Sequence, residues 1–247
     1  MITIGNFFFR YRNLLFPVFA LTIFIPSPPL FSETVFGNDY YLIPLIAGLT
    51  IAILGQIVRA ATIGLKYIVR GGKNKKVYAK ELVTDGIFNH CRNPLYVGNM
   101  LMLSGVGMLS NSLYFVVFVT PVFLFIYQAI VVAEENFLKN KFGEPYNVYC
   151  EQVNRWAPQL KGLINTFESM QFNWRQYIVM EYNTIYLLIL SVYLVLLTHH
   201  PEMVWWDVND KIRVSFIVIS IATVLYLFVR YLKKSKRLNA DYHNRKL

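Results

Sequence analysis

Residues 93–135 read NPLYVGNMLMLSGVGMLSNSLYFVVFVTPVFLFIYQAIVVAEE. The only candidate turn in this stretch is Ser110 to Ser112, so the apolar runs Leu95 to Leu109 and Leu113 to Ala133 form a tight antiparallel helical hairpin. Spanning about 30 Å of hydrocarbon takes roughly 20 mostly apolar residues. Working outward, the same criterion marks Leu14 to Phe31, Tyr40 to Gly64, Thr184 to Thr198 and Val214 to Leu232. In chain order the third and fifth runs are short, so one is re-entrant or extends into its polar flanks. The reading is an all-α, polytopic membrane helical bundle of about six transmembrane helices. It forms a single membrane domain over 1–247, without internal repeats.

Composition agrees. The 247 residues carry 24 Lys+Arg against 14 Asp+Glu, a formal charge of +10, yet only 15% are charged and 55% are hydrophobic. Mean hydropathy is positive. Soluble domains hold about 25% charged residues, so disordered, collagen-like and disulfide-rich secreted classes are excluded. A basic nucleic-acid binder would not combine its charge with so much continuous apolar sequence. Cys91 and Cys150 make no disulfide framework and lack metal-ligand spacing. In the first span Pro17, Pro26, Pro28 and Pro29 kink or end the helix. Arg10 and Arg12 resemble a signal-peptide flank, but no small-residue cleavage site follows, which predicts an uncleaved anchor.

Lys and Arg set the orientation. They crowd before the first span, between Lys66 and Arg92, between Lys139 and Arg175, and from Arg230 onward, whereas the alternate loops hold only Lys211 and Arg213. Both termini are therefore expected in the cytoplasm. The tail Lys233-Lys234-Ser235-Lys236-Arg237 is expected to attract anionic lipid headgroups. Two cytoplasmic segments, Lys66 to Pro94 and Glu134 to Asn183, are too long for turns, so the chemistry is expected there.

Three features concentrate at that face. Asn93 as N-cap and Pro94 at the first helical position open a helix beside Arg92. Unsatisfied amides and a guanidinium suit a carboxylate or phosphate; the plainer alternative is that Arg92 meets lipid headgroups. Glu134-Glu135 stand where the fourth span reaches the cytoplasm, and either attract a cation or simply end the apolar run in water. Counted from Asn111, both helix ends emerge on one face, so positive and negative groups flank a cleft suited to a zwitterion. Finally, Gly143 and Pro145 break the helix, and Tyr146, Tyr149 and Val153 share one face of a short amphipathic helix lying along the membrane; an interfacial aromatic belt is the alternative.

Arg92-Asn93-Pro94-Leu95-Tyr96-Val97-Gly98, Glu134-Glu135, Phe142-Gly143 with Tyr146 and Tyr149, and Val153 with Arg155-Trp156 and Pro158 appear in that order over roughly residues 55 to 160. This ordered set resembles the isoprenylcysteine carboxyl methyltransferase and phospholipid methyltransferase superfamily of integral membrane enzymes. The resemblance implies a methyltransferase-like core over about 40–160, with an extra helical pair over about 184–232 outside it. It implies S-adenosylmethionine bound by Arg92, Asn93, Pro94, Tyr96, Gly98, Glu134, Glu135, Tyr146 and Tyr149, and a lipid or lipid-linked acceptor entering from the bilayer. Asn93 stands where the carboxyl methyltransferases often have His.

Within this picture Arg92 and the helix start take the cofactor carboxylate, and Glu134 or Glu135 takes its ammonium or ribose. Tyr96 and Tyr146 flank adenine or sulfonium. Arg59, an arginine inside a span, faces the bundle or a polar cavity and is the candidate on the acceptor side, or else snorkels. Arg155 joins it as a catalytic candidate. His90 and Cys91 border the motif; either could serve as base or nucleophile, but a lone His or Cys near a headgroup is more often structural. His199-His200 are weak evidence for metal, and no metal site is expected. No Gly-x-Gly-x-x-Gly follows a strand, which excludes a Rossmann methyltransferase. Two alternatives stand beside methyl transfer: a nicotinamide-dependent reductase of shared architecture, for which Lys73, Lys75 and Lys76 could hold phosphate, and a non-catalytic scaffold or carrier. Nothing in the sequence points to nucleic acid or to an obligate protein partner.

Overall fold

The computed structural model describes residues 1–65, 77–200 and 207–238. The described residues form α1 (Ile2–Leu21, drawn on by a 3₁₀ turn to Phe24), α2 (Glu33–Phe36), α3 (Leu42–Leu65) and α4 (Pro94–Leu109). There follow α5 (Thr120–Phe142, entered through a π turn at Phe115–Val119), α6 (Glu144–Gln152), α7 (Leu163–Ser169), α8 (Trp174–His199) and α9 (Val208–Lys234). The chain is all-α.

Among the described residues, five helices are long and apolar enough to cross a membrane: Ile2–Phe24, Leu42–Leu65, Phe115–Phe142, Trp174–His199 and Val208–Lys234. The sixth expected span, α4, has 16 residues. At about 1.5 Å per residue it covers roughly 24 Å, short of a full crossing. The fifth run gains its length by extending into its polar flank, back to Trp174.

The first span differs from expectation. It runs from Ile2 through Pro17 and stops at Phe24, rather than occupying Leu14 to Phe31. Ile25, ahead of Pro26, is already extended at ψ 126°, because a following proline ring disfavours helical backbone. Arg10 and Arg12 thus lie inside the helix. Arg12 stacks its guanidinium 4.3 Å from the Phe9 ring centroid, which covers its stem within an apolar surface.

The Ser110 to Ser112 turn forms as expected. Asn111 takes a positive φ of 53°, a conformation Asn tolerates better than most side chains. Its amide is tied to Phe31 in both directions, at 2.8 and 2.9 Å. Beyond the turn Pro121 has no N–H to give to Val117, and the backbone widens into the π turn just before it.

Although α4 and α5 share this turn, each packs mainly elsewhere. The most extensive contact in the fold is α3 against α4, followed by α1 against α5. Glycines set both distances. A Cβ on Gly55 would stand 2.7 Å from the Gly98 carbonyl oxygen, and one on Gly105 would stand 2.4 Å from the Ala52 nitrogen. On α1, a Cβ at Gly5 would meet the Ala129 carbonyl oxygen at 1.9 Å. Small residues at such crossings let backbones close in where lipid supplies no hydrophobic drive.

α8 lies against α3 and α4, and α9 packs against α8 through Tyr186 and Tyr226, whose rings are 4.7 Å apart. No residue of α9 is buried.

Helix directions alternate. One face gathers the end of α1, the α4–α5 turn and the end of α8, where His199 Nε2 is 3.1 Å from Ile23 O and His200 Nε2 is 2.6 Å from Leu109 O. The opposite face gathers the starts of α1, α4 and α8 with the ends of α3, α5 and α9. There Asn173 N–H donates to Gly64 O at 2.7 Å and Lys233 Nζ donates to Val179 O at 3.0 Å.

The α3–α4 contact generates a direct test. Gly55→Val should lower stability by about 1–3 kcal/mol through overpacking, read as a fall in melting midpoint in detergent. Ile53→Val, on the exposed side of the same helix, should stay within about 0.5 kcal/mol of the parent.

Candidate functional site at the start of α4 and the inner end of α5

Residues 90–93, just ahead of α4, lie along residues 154–159. Arg92 N–H donates to Asn154 O and Gln159 N–H to His90 O, both at 2.9 Å. The Cys91 thiol donates to the Arg155 and Trp156 carbonyls at 3.6 and 3.4 Å. Trp156 Nε1 reaches Gln128 Oε1 on α5 at 2.8 Å, fastening the loop to the bundle. His90 is buried, with Nδ1 2.7 Å from Gln159 O and Nε2 2.8 Å from the Thr166 hydroxyl. His90 and Cys91 therefore hold the loop, as the sequence reading expected. Burial pushes the Cys91 thiol up, against smaller opposing effects of the Asn93 backbone and Arg92, so it stays a thiol.

This pairing delivers two guanidiniums to one carboxylate. Arg155 grips Glu135 with Nη2 at 2.7 Å and Nε at 3.0 Å. Arg92 Nε stands 3.4 Å from Glu135 Oε1 and Arg92 Nη1 donates to Cys150 O at 3.2 Å. Arg92 and Glu135 side chains are 12% and 11% exposed, whereas Arg155 at 36% opens to the outside. The bond to Glu135 raises Arg155 further above its usual range. Arg92 Nε is buried and meets no acceptor in hydrogen-bonding geometry among the described residues. Two positive groups sharing one negative leave a local excess of one positive charge.

Glu134 lies one position away. The Tyr96 hydroxyl donates to it at 2.6 Å, and Arg12 of α1 is near enough to act on both Glu134 and Tyr96. Tyr146 adjoins Glu135; burial, reinforced by that carboxylate, pushes its phenol well up. Tyr149 is likewise raised by burial and donates to Phe88 O at 2.7 Å. Both phenols stay protonated at neutral pH. Tyr146, Tyr149 and Val153 form a buried cluster with Leu82, Leu138 and Phe142, so this face of α6 packs on protein.

Several expectations change. Glu134 and Glu135 do not end a helix: α5 continues two turns to Phe142 and stops at Gly143, φ 60°, with Lys139 and Lys141 in its last turn. Their acidity is met by arginine, not left facing the dipole. Asn93 is the N-cap and Pro94 the first helical residue, but the Asn93 amide donates to Glu135 at 3.2 Å and to Arg155 O at 3.4 Å instead of capping. The Tyr96 and Val97 amides already bond Asn93 O, so guanidinium rather than backbone carries the positive character. Gly98 faces α3, where a Cβ would meet Arg59 Cγ at 2.5 Å. The site thus unites Arg92, Asn93, Tyr96, Glu134, Glu135, Tyr146 and Arg155. Pro94 is buried at its rim, and Gly98 and Tyr149 support it from outside. Lys73, Lys75 and Lys76 lie outside the described residues.

Arg59 lies deeper and does not snorkel. Its Nε and Nη2 grip Glu181 of α8 at 2.7 Å each, Nη1 donates to Asn99 of α4, and Nη2 is 3.5 Å from the Thr184 hydroxyl. Glu181 is wholly buried. Sequence reading missed Glu181, Asn99, Arg12 and Tyr127. A carboxylate inside an apolar helix requires a partner, and Arg59 was the available one, but ending the fifth span at Thr184 left Glu181 outside it.

With this geometry in place, comparisons with known proteins define the class. A sequence profile described as phospholipid methyltransferase matches residues 43–145. The cobalt-zinc-cadmium resistance protein CzcN of Cupriavidus metallidurans is 30% identical over 160 residues, 64% of this chain and 68% of that protein. Protein-S-isoprenylcysteine O-methyltransferase B of Arabidopsis thaliana is 31% identical over 119 residues, 45% of this chain and 57% of that protein. The protein-S-isoprenylcysteine O-methyltransferase of Schizosaccharomyces pombe is 29% identical over 110 residues, 42% of this chain and 45% of that protein. This chain spans about half the length of those two methyltransferases. No solved structure matches it at significant similarity. The chain belongs to the isoprenylcysteine carboxyl methyltransferase and phospholipid methyltransferase superfamily of integral membrane proteins.

The Arg59–Glu181 pair supplies the test here. Glu181→Gln should destabilise by about 3–5 kcal/mol, because it leaves a buried charge without its counter-ion. Arg59→Met with Glu181→Leu together should recover most of that loss, as measured by melting in detergent.

Proposed function

We propose that this protein transfers a methyl group from S-adenosylmethionine to a lipophilic acceptor held in the bilayer, with the cofactor at the Arg92–Glu135–Arg155 cluster. The observation that carries the reading is the charge imbalance there: two guanidiniums share one carboxylate, and Arg92 Nε is buried without a hydrogen bond. The donor set fits the amino-acid end of that cofactor. Arg92 and Arg155 suit its carboxylate, and Glu134 suits its ammonium or ribose hydroxyls. Tyr96 and Tyr146, held neutral, offer ring faces beside the carboxylates.

When bound, the cofactor supplies an electrophilic methyl on sulfonium, for which alignment with the acceptor provides most of the rate. The residues' work is to bind, orient and exclude water. Glu135 fixes the spacing of the two arginines, Asn93 braces Glu135, and Tyr96 holds Glu134 in one orientation. Arg59 acts through Asn99 and Thr184 and is a positioning residue. The names of the Arabidopsis and fission-yeast relatives support methyl transfer to a lipid-linked acceptor. The face carrying the site also carries most Lys and Arg, so it is assigned to the cytoplasm.

Two measurements test this reading. Purified protein should bind labelled S-adenosylmethionine in preference to NADPH. Arg92→Ala should weaken that binding about tenfold or more, since losing a hydrogen bond to a charged group costs about 1.5–3 kcal/mol. Arg92→Lys should recover part of the loss, and a decarboxylated analogue should bind parent and Arg92→Ala alike. Equal cofactor binding by all three proteins would move the site. For orientation, a reporter fused after Leu247 should sit in the cytoplasm; a signal from the far side would invert the assigned face.

A further inference from the structure

We infer that the cavity between α1, α4, α5 and α8 is the acceptor pocket, and that it takes a single-chain lipid with an uncharged alcohol or phenol head. The word acceptor rests on the methyl-transfer reading; the binding does not. The cavity measures about 300 Å³, the low end of the range of about 300–1,000 Å³ for ligand pockets. That suits one slender chain. Its walls are mostly apolar, with Leu103 and Val106 from α4 and Leu187, Leu194 and Val195 from α8. Leu187 and Leu194 are also exposed on the outside of the bundle, so the slot opens sideways to lipid. From Thr184 to Val195 it follows twelve residues of α8, a rise of roughly 16 Å at about 1.5 Å per step.

Most polar groups gather at one end, where Asn99, Tyr127 and Thr184 meet, and Ser191 adds one hydroxyl about two turns further along the slot. Asn99 and Thr184 are the residues that Arg59 bonds, and the Tyr127 hydroxyl is bonded to Asn99. The charge behind this end is cancelled, because Glu181 grips Arg59 through two nitrogens. That end therefore offers an amide and two hydroxyls with no net charge. A carboxylate or phosphate placed there would be a buried charge without a counter-ion. A head that both donates and accepts hydrogen bonds without charge is satisfied.

The polar end also points the right way. The Tyr127 ring is 5.6 Å from that of Tyr96, whose hydroxyl bonds Glu134. The head thus faces the proposed cofactor site, and the chain runs from it toward the opposite face. Two walls, α1 with its 3₁₀ extension and α8, come from outside the matched residues 43–145, so α8, the first of the C-terminal helical pair, helps to select the acceptor.

The test uses the full chain in detergent without added cofactor. Two photoreactive probes carry the same farnesyl chain with a diazirine, one ending in a phenol and the other in a carboxylic acid. The phenol should label residues within the lining segments 20–24, 99–106, 115–127 and 184–195, roughly tenfold more than the acid, equivalent to about 1.4 kcal/mol. Ser191→Trp, which fills the slot from α8, should cut phenol labelling to a similar degree. Equal labelling by the acid, or labels mapping outside these segments, overturns the inference, as does a folded Ser191→Trp that is labelled like the parent. The two-probe comparison on the unaltered protein decides even if Ser191→Trp does not fold. Because no cofactor is added, failure to bind S-adenosylmethionine would sink the methyl-transfer reading without touching this result.

Discussion

Glu135 is the residue on which the rest of the site depends. A carboxylate buried at the end of a bundle needs cationic partners, and two reach it, from segments far apart in sequence. Arg92 comes from the start of α4 and Arg155 from the loop after α6. Joining them to one acceptor draws the loop across the end of the bundle, where backbone bonds from residues 90–92 to residues 154–159 hold it. The same contact creates the positive excess, since one carboxylate cannot neutralise two guanidiniums. Structure and binding chemistry here follow from a single ion cluster.

A second buried ion pair does a different task. Arg59 is placed on α3 where Gly98 of α4 leaves room for its stem, and Glu181 then recruits α8 to the side of the α3–α4 pair. Buried pairs of this kind are costly to break and weak as net stabilisers; what they provide is position. Glu181 fixes the rotation of α8 and so determines which of its side chains face the slot. Because the pair is balanced, it confers polarity there without charge, in contrast to the unbalanced cluster around Glu135.

The two clusters divide the bundle by depth. Near the face shared by the start of α1 and the end of α9, charge and protonated phenols predominate. One to two helical turns deeper, the lining becomes apolar with a few hydroxyls and amides. Tyr96 and Tyr127 stand between the zones, with ring centroids 5.6 Å apart.

The sequence by itself determined the class of fold, the order of the apolar helices and most residues of the candidate cluster. These depend on hydropathy, helix-breaking residues and local spacing, all of which operate within some twenty residues. It also placed the turn at Ser110 to Ser112 and grouped Arg92, Asn93, Glu134 and Glu135, because a helical rise counted along two runs brings their ends level. Only the tertiary structure decided which charges meet. That Glu135 takes both Arg92 and Arg155, that Arg59 is consumed by Glu181, and that Gly98 serves the α3–α4 crossing rather than the cleft depend on helix rotation and on partners 20 to 122 positions distant. Hydropathy does not encode rotation about a helix axis; close packing of glycines and the need to pair every buried charge do.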